Sequence, residues 1–341
     1  MIPLFLLVIY LTYGSISVVL YVRIIWLLWS DFAFKGVIYQ IMLVLGVVDI
    51  LNYLLNLFLF RFSQCPNFVP YFAQIRPNRW LGILFFVMLY ASYVQYLLQF
   101  VITLNRFTAV VFSQKYNKLW IRLYPIAMAI SLTLPIPLVT HHLFSTKTYF
   151  PLAKKDIYQG LLPSTVSYDY HNINDVKLLS IVTFTFAGVC LSLNVFSVAW
   201  LWHLKAQQKK NGAKGGYLNN IRPELHLLLI CVVMVVCQCL SGSILVLNDA
   251  IQNDTFRSFL YAQLPWISDL NNFNAAWLLF LVNSKLRAAV FGRATKVTPY
   301  FIQFVSNSRE FKGIAKKSNL LTAPARVMSV GRLPSAADLG V

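Results

Sequence analysis

The sequence predicts an all-α membrane protein, folded as a seven-transmembrane helix bundle with its N-terminus outside the cell and its C-terminus in the cytoplasm. Of its 341 residues, 58% are hydrophobic and only 12% are charged, whereas soluble domains have about 45–50% and about 25%. The mean hydropathy is +0.64, and most charged residues fall between long apolar windows. These features exclude soluble enzymes, secreted disulfide scaffolds and disordered regulators.

Seven apolar windows are long enough to cross a bilayer, because a helix needs about 20 residues to span about 30 Å of hydrocarbon. Five windows contain no Lys, Arg, Asp or Glu, and the other two contain one acidic residue each, Asp49 and Asp269. The predicted spans are residues 4–28, 37–59, 80–104, 122–144, 178–202, 225–247 and 259–282. Together they form one helical domain, 1–290, and leave no room for a separate soluble domain.

The two ends of the chain are assigned from their composition. Window 1–22 has no basic n-region and no small-residue cleavage site after it, so it is predicted to be a retained span rather than a signal peptide. Residues 285–298 mix apolar and basic positions as an interfacial helix does. Residues 300–341, rich in Ser, Lys, Arg and Pro, are predicted to form a disordered basic cytoplasmic tail.

Lysine and arginine are distributed unequally between the two sides of the predicted bundle. Twenty lie in the first, third and fifth connections and the tail, and eight, among them Arg61, lie in the other connections. The positive-inside rule therefore places the N-terminus outside. The net charge of +18 then reflects contact with anionic membrane lipid, and no nucleic acid is expected as a partner. The sequon at Asn253 falls on the external side and is a candidate glycosylation site.

Polar residues inside the spans need partners in the bundle or a water-filled cavity, because lipid offers none. In span two, Asp49, Asn52 and Asn56 recur at i, i+3 and i+7 and so share one helix face. A second polar stripe follows span three from Ser92 to Arg106. The sequence predicts an intramembrane polar network that contains Asp49, Asn52, Gln99, Asn272 and Asn274. For any single Asn or Gln, the alternative is simple hydrogen bonding between packed helices.

A group of aromatic and polar residues is predicted to line a small-molecule site, because such sites combine an aromatic wall with few polar anchors. With the N-terminus outside, these residues lie from mid-membrane outward in spans three, six and seven. The candidates are Tyr90, Tyr93, Gln95, Tyr96, Gln238, Tyr261, Trp266 and Asp269. The alternative is that the aromatic residues face lipid or pack in the core.

Sequence signatures of catalysis are missing from the chain. It contains no Gly-rich phosphate loop, no H-E-x-x-H and no G-x-S-x-G motif, so neither an enzymatic activity nor a cofactor is predicted. The adjacent His141 and His142 can in principle bind a metal. A histidine pair at the end of a span is more often merely solvated, and no metal site is predicted.

The end of span three and the loop that follows it resemble a known family. The run LNRFTAVVF at 104–112, followed by KYNKLW at 115–120, is similar to the corresponding segment of nematode serpentine chemoreceptors, particularly serpentine receptor class gamma. The resemblance implies a G-protein-coupled chemosensory receptor, which binds an extracellular small molecule and transmits a helix rearrangement to a heterotrimeric G protein. It also implies a multi-pass protein of the plasma membrane, in sensory cilia.

Arg106, at the inner end of span three, is the expected centre of G-protein coupling. An Arg106–Glu224 pair is expected to hold the silent state, and its opening exposes Arg106 to the G protein. Tyr116, Lys118 and Trp120 are expected at the rim of the docking surface, although Trp120 serves equally well as an interfacial anchor for span four.

The alternative function is a seven-helix ligand-gated channel or transporter subunit. Asn105 stands before Arg106, where rhodopsin-like receptors usually carry an acidic residue, and span seven lacks an Asn-Pro-x-x-Tyr sequence. An insect-type odorant channel would have its N-terminus inside, which is opposite to the charge bias. A proton-coupled transporter would need more than two intramembrane carboxylates.

Overall fold

The computed structural model describes residues 4–31, 34, 36–112, 114–153, 156–168, 175–210, 218–251 and 254–292. This part of the chain is mostly helical and contains one β-hairpin. The glycosylation candidate Asn253 and the predicted tail 300–341 lie outside the described residues.

Long helices follow one another along the chain, with shorter elements between them. In chain order the elements are α1 (Leu4–Ser30), α2 (Val37–Asn56), a π-helical turn (Leu57–Phe62), α3 (Val69–Ala73), α4 (Arg79–Val111), α5 (Tyr116–Thr133), α6 (Pro135–Val139), a 3-10 helix (Thr140–Phe144), β1 (Ser145–Ala153), β2 (Asp156–Tyr168), α7 (Asp175–Lys210), α8 (Leu218–Ala250), α9 (Asp254–Val282) and α10 (Ser284–Val290).

Six of the described helical segments are long and apolar enough to cross a membrane. They are Leu4–Ser30, Val37–Phe62, Arg79–Val111, Tyr116–Phe144, Asp175–Leu204 and Leu228–Leu247. The 29-residue helix α9 is not among them. Its hydropathy is low because it carries Asp269, Asn271, Asn272 and Asn274, and all four side chains are buried inside the bundle.

The helix α4 lies at the centre of the bundle. It contacts α2, α7 and α8 along its length, and it also meets α5, α6 and the 3-10 helix. Val94, Leu98 and Ile102, at i, i+4 and i+8, form a fully buried apolar stripe on it. The remaining helices close the bundle through the pairs α1–α2, α2–α9, α7–α8 and α8–α9, so the polar residues of α4 face other helices rather than lipid.

The fourth connection forms an antiparallel β-hairpin, which the sequence analysis did not predict. Ser145 pairs with Tyr168 at its base, and Ala153 pairs with Asp156 at its tip. Tyr149 of β1 and Leu161 of β2 are buried with residues of α3 and α4 in one apolar cluster. The hairpin therefore covers one end of the bundle and belongs to its core.

Gly82 allows the hairpin to approach α4 closely. A Cβ atom at this position would lie 2.5 Å from the carbonyl oxygen of Ser145 and 2.7 Å from that of His142. Both atoms belong to the backbone and cannot rotate away, so only glycine fits here.

The end of the second span differs from the prediction. The charge of Arg61 predicted that this span ends at 59 and that Arg61 lies in an external connection. In the structure the helix continues as the π-helical turn to Phe62, and Arg61 is fully buried within it. The reason is a buried acidic partner, Asp269. The inequality of basic residues between the two sides of the bundle is larger after this correction.

The predicted interfacial helix is shorter than the range 285–298. Asn283 begins α10, because its Oδ1 accepts hydrogen bonds of 3.1 Å from the backbone N–H groups of Lys285 and Leu286. The helix ends at Val290, and Gly292 follows with a φ of 70°, a left-handed conformation that terminates helices. Residues 293–298 lie outside the described part of the chain.

Candidate functional site

Buried polar side chains from α1, α2, α4 and α9 meet midway along the bundle. We call this cluster the polar hub, and it consists of Tyr21, Asp49, Asn52, Gln95, Asn271 and Asn272. The hydroxyl of Tyr21 donates to Oδ2 of Asp49 at 2.6 Å, and Nε2 of Gln95 donates to Oδ1 at 2.8 Å. A fully buried carboxylate needs such donors, since an unsolvated charge without them is costly. Asp49 thereby joins α1, α2 and α4.

The amide side chains of the hub connect α2 and α4 to α9. Nδ2 of Asn52 lies 3.3 Å from both Oε1 of Gln95 and Oδ1 of Asn272. Nδ2 of Asn271 donates to Oε1 of Gln95 at 3.1 Å, and Asn56 donates to Oδ1 of Asn52 at 2.9 Å. Because each amide carries both donors and acceptors, small rotations exchange one partner for another. The hub can therefore exchange hydrogen-bond partners when the helices shift.

Two of the five predicted network residues lie outside the hub. Gln99, one turn beyond Gln95 on α4, accepts a hydrogen bond from Nε2 of Gln238 in α8. Asn274 of α9 lies beside the thiol of Cys237 in α8. The predicted residues inside the hub are Asp49, Asn52 and Asn272.

Arg61 and Asp269 form a buried ion pair between the π-helical turn and α9. Nη2 of Arg61 contacts Oδ1 of Asp269 and donates to the carbonyl oxygen of Pro265 at 2.9 Å. The guanidinium also lies over two aromatic rings, with Cζ 4.7 Å from the ring centroid of Tyr10 and 5.4 Å from that of Tyr53. The carboxylate and the ring faces together offset the cost of desolvating the arginine. This compensation explains why Arg61 lies inside the helix.

Trp266, another predicted ligand residue, lies near this ion pair, because Tyr10 contacts both its ring and Arg61. It occupies α9 one turn before Asp269, and its ring stacks on Tyr13 with centroids 5.7 Å apart and meets Tyr10 edge-on at 4.7 Å. The side chain is 38% exposed. The structure therefore brings Trp266 and Asp269 together beside a partly open aromatic group.

The three predicted tyrosines of α4 face different neighbours. Tyr90 donates to the carbonyl oxygen of Leu132 in α5 at 2.9 Å. Tyr93 is buried in the apolar cluster under the hairpin, and Tyr96 is buried against Thr183 of α7. Packing between helices accounts for each of these contacts. The predicted ligand residues whose side chains the structure describes do not converge on one cavity.

An open groove of about 610 Å³ follows the outer faces of α4 and α7. It is lined by Phe107, Phe184, Thr185, Gly188, Val189, Ser192, Leu193 and Phe196, and none of the predicted ligand residues is among them. Its mainly apolar lining has the composition of a lipid-facing surface.

The side chain of the predicted ligand residue Tyr261 lies outside the described part of the chain.

Arg106 lies at the opposite end of α4 from the hairpin, and it is buried. Its Nη2 donates to Oδ1 of Asn105 at 2.7 Å, and Nδ2 of Asn105 lies 2.9 Å from the hydroxyl of Tyr116 in α5. Lys118 is exposed nearby on α5. The side chain of Glu224, the expected partner of Arg106, lies outside the described part of the chain.

The expected place of Trp120 at an exposed rim or interface is wrong. Trp120 is fully buried, and its Nε1 donates to the hydroxyl of Thr108 in α4 at 2.7 Å. The indole therefore fixes α5 to α4, because a buried N–H group requires a partner.

Two histidines and a carboxylate meet at the hairpin end of the bundle. Nε2 of His141 lies 2.8 Å from Oδ1 of Asp175, the first residue of α7, and Nε2 of His142 lies 3.2 Å from the same oxygen. The two imidazole centroids are 4.0 Å apart. The expectation of a merely solvated pair is wrong for His142, which is fully buried.

Lys147 of β1 lies near this cluster and is buried. Its Nζ donates to Oγ1 of Thr165 at 2.8 Å and lies 4.4 Å from the ring centroid of Phe85. Burial lowers the pKa of Lys147 to about 8, and the opposing effect of the Asp175 charge is smaller. Burial likewise raises the pKa of Tyr149.

Four residues of these clusters were not identified from the sequence. Arg61 stands within an apolar run, LFLFRF at 57–62, and this run was a signal that the helix continues. Asp175 closely precedes a charge-free window, and an acidic residue in this position is a signal of a helix start. Nothing local distinguished Tyr21 from other span tyrosines, or Asn271 from its neighbours, because their roles depend on residues of other helices.

Comparison with known proteins identifies the family of this chain. The family model described as Srg family chemoreceptor matches residues 7–290, which include every described helix except the first residues of α1. A search of curated proteins finds no significant match.

Proposed function

The chain belongs to the Srg family of chemoreceptors, and on this premise we propose that it is a G-protein-coupled chemosensory receptor. It binds an extracellular small molecule and passes a helix rearrangement to a heterotrimeric G protein. Family membership and the apolar helices make it a multi-pass membrane protein. Its proposed location is the plasma membrane of sensory cilia, with residues 1–290 as the receptor domain.

In this proposal the bundle crosses the membrane seven times, and α9 is the seventh span. A helix with a polar face can lie in a bilayer when that face finds partners on other helices. Asp269 has Arg61, and Asn271 and Asn272 have Gln95 of the hub. These contacts support α9 as a span despite its low hydropathy.

The observation that carries the proposal is the polar hub and its position. It hydrogen-bonds four helices at a level between the Arg61–Asp269 pair and Arg106. Asn272 lies one turn from Asp269 along α9, and Gln95, Gln99, Thr103 and Arg106 follow one another at single-turn spacing along α4. A shift of α9 at the Asp269 end therefore changes the partners of the amides that hold α4.

The proposed ligand region is the group around Trp266 and Asp269. An exposed aromatic face beside a buried charge offers both an apolar wall and a polar anchor. Tyr10 and Tyr13 of α1 extend this group, although they were not among the predicted ligand residues. Tyr90, Tyr93 and Tyr96 serve as packing residues in this proposal.

The proposed coupling region is the Arg106 end of α4. Arg106, Asn105 and Tyr116 form a hydrogen-bonded group between α4 and α5, and Lys118 supplies an exposed basic residue beside it. Trp120 stabilises the α4–α5 contact from within. A G protein that docks here meets Arg106 only after the helices around it separate.

We expect an N-terminal epitope tag to be labelled on intact cells and a C-terminal tag to be labelled only after permeabilisation. The reason is the excess of Lys and Arg in the odd-numbered connections and the tail, which retains them in the cytoplasm. A tag in the 211–217 connection, which belongs to the cytoplasmic side, serves as a matched internal control. An N-terminal tag that is labelled only after permeabilisation contradicts the receptor proposal and favours the channel alternative.

The receptor function itself is tested by a second-messenger assay in cells that express the chain. We expect a small molecule from a library of odorants and metabolites to change cyclic-nucleotide or calcium levels, and inactivation of G proteins to abolish the response. Cells with an empty vector are the control. A membrane current that persists with all G proteins inactivated would identify a ligand-gated channel instead.

A further inference from the structure

The side chains at the hairpin end of the bundle include a ligand set suited to a metal ion. His141, His142 and Asp175 each offer one ligand atom, and the three atoms lie within 4.8 Å of one another. Around zinc, with bonds of about 2.0–2.2 Å, such atoms are separated by roughly 3–3.5 Å. Two of the pairs, at 2.8 Å and 3.2 Å, already have separations of this order. Binding therefore requires only a small closure of the group.

Each imidazole is able to present a nitrogen lone pair to a cation. The Nδ1 atoms of His141 and His142 are buried, and neither has a hydrogen-bond partner among the described residues. A change of tautomer therefore breaks no other hydrogen bond at these nitrogens. Both Nε2 atoms lie within 3.2 Å of the same carboxylate oxygen of Asp175, although only that of His141 forms a hydrogen bond with it, so one cation can bind all three atoms.

We propose that His141, His142 and Asp175 form a binding site for a borderline divalent metal ion, with Zn²⁺ as the best fit. Two imidazole nitrogens and one carboxylate oxygen form a three-ligand set typical of zinc, which leaves a fourth position for water or another ligand. The site joins the 3-10 helix at the end of the fourth span to the first turn of α7. It is independent of the proposed G-protein coupling.

Lys147 limits the affinity of this site. Its Nζ lies 4.4 Å from the ring centroid of Phe85, and that ring lies 6.3 Å from the imidazole of His142. A bound cation and an ammonium group repel each other, so Lys147 weakens the site. Lys147→Met removes the charge and keeps a flexible apolar chain, and it should tighten zinc binding by about threefold or more.

The test uses the full chain in lipid nanodiscs, purified through a tag without histidines. After chelation, reloading with Zn²⁺ and desalting, we expect one zinc per receptor. Asp175→Asn and His141→Gln should each weaken binding by more than about tenfold, since each removes a direct ligand. His203→Ala, an exposed histidine at the other end of α7, should leave binding unchanged.

Several outcomes overturn the site. A wild-type receptor that retains no zinc contradicts the proposed site. Equal zinc retention by the wild type and by Asp175→Asn contradicts it as well. If a ligand variant misfolds, Lys147→Met still tests the site. It is expected to bind zinc more tightly than the wild type, and a misfolded receptor does not. Zinc binding by Lys147→Met that is unchanged or weaker contradicts a metal position beside Lys147. A receptor whose conformation responds to pH but binds no zinc has a proton switch instead of a metal site.

Discussion

Replacement of Arg61 by methionine is expected to lower the stability of the bundle by about 3–5 kcal/mol, because Asp269 then stays buried without its cation. Arg61→Met also removes the contacts with the rings of Tyr10 and Tyr53. The measurement is the midpoint of thermal unfolding in nanodiscs, together with the amount of receptor at the cell surface. Arg76→Met is the matched control, since Arg76 is exposed at the same end of the bundle, and it should change little.

The double variant Arg61→Met/Asp269→Asn separates the ion pair from general packing. It carries no buried charge at this position, so it should recover most of the stability that the single Arg61 variant loses. A double variant no more stable than Arg61→Met shows that packing of the arginine stem, rather than the charge on Asp269, accounts for the loss. Equal stability of Arg61→Met and Arg76→Met contradicts the structural role of the pair.

Arg106→Ala is expected to abolish G-protein activation without reducing ligand binding or surface level. The guanidinium is the only cationic group that the described residues place within the polar stripe of α4, and its planar donors suit helix-end carbonyl groups of a partner. Nucleotide exchange on the G protein in isolated membranes measures this effect. Arg122→Ala, an exposed residue of α5, is the matched control and should retain activity.

Glu224→Ala tests the other residue of the proposed Arg106–Glu224 pair. If the Arg106–Glu224 pair holds the silent state, its loss raises ligand-independent activity about fivefold, which corresponds to about 1 kcal/mol for a partly wet pair. Basal exchange at the wild-type level would contradict this role for Glu224. Normal signalling by Arg106→Ala would contradict the coupling role of the arginine itself.

The sequence predicted the six apolar helices that the structure describes as long enough to cross a membrane, because lipid leaves a chain few choices. A backbone in hydrocarbon must satisfy its own hydrogen bonds, so long apolar windows become helices whatever their neighbours are. The exceptions show where this rule stops. The charge of Arg61 predicted the end of the second apolar window. The helix nevertheless continues through Arg61, because Asp269 and two tyrosine rings stabilise its charge. The hairpin was missed because its burial depends on α3 and α4, which lie elsewhere in the chain.

Individual polar residues were also identified from the sequence, but their partners were not. Helical spacing placed Asp49 and Asn52 on one face, and the structure shows that face directed to Gln95. Gln99 occupies the same stripe as Gln95, one turn away, and it nevertheless pairs with α8 instead of α9. Spacing defines a face of one helix, whereas the neighbour of that face depends on how the helices pack.

The sequence by itself determined the membrane class, the position of the long helices and membership of the chemoreceptor family, because composition, hydropathy and a local motif are properties of contiguous residues. Only the tertiary structure decided which side chains meet. Asp49 and Gln95 lie on separate helices, and so do Arg61 and Asp269, while His142 meets Asp175 across the hairpin. Each contact stabilises a buried polar group that its own helix leaves unsatisfied. The choice of partner follows from the packing of α2, α4, α7 and α9, which no local pattern encodes.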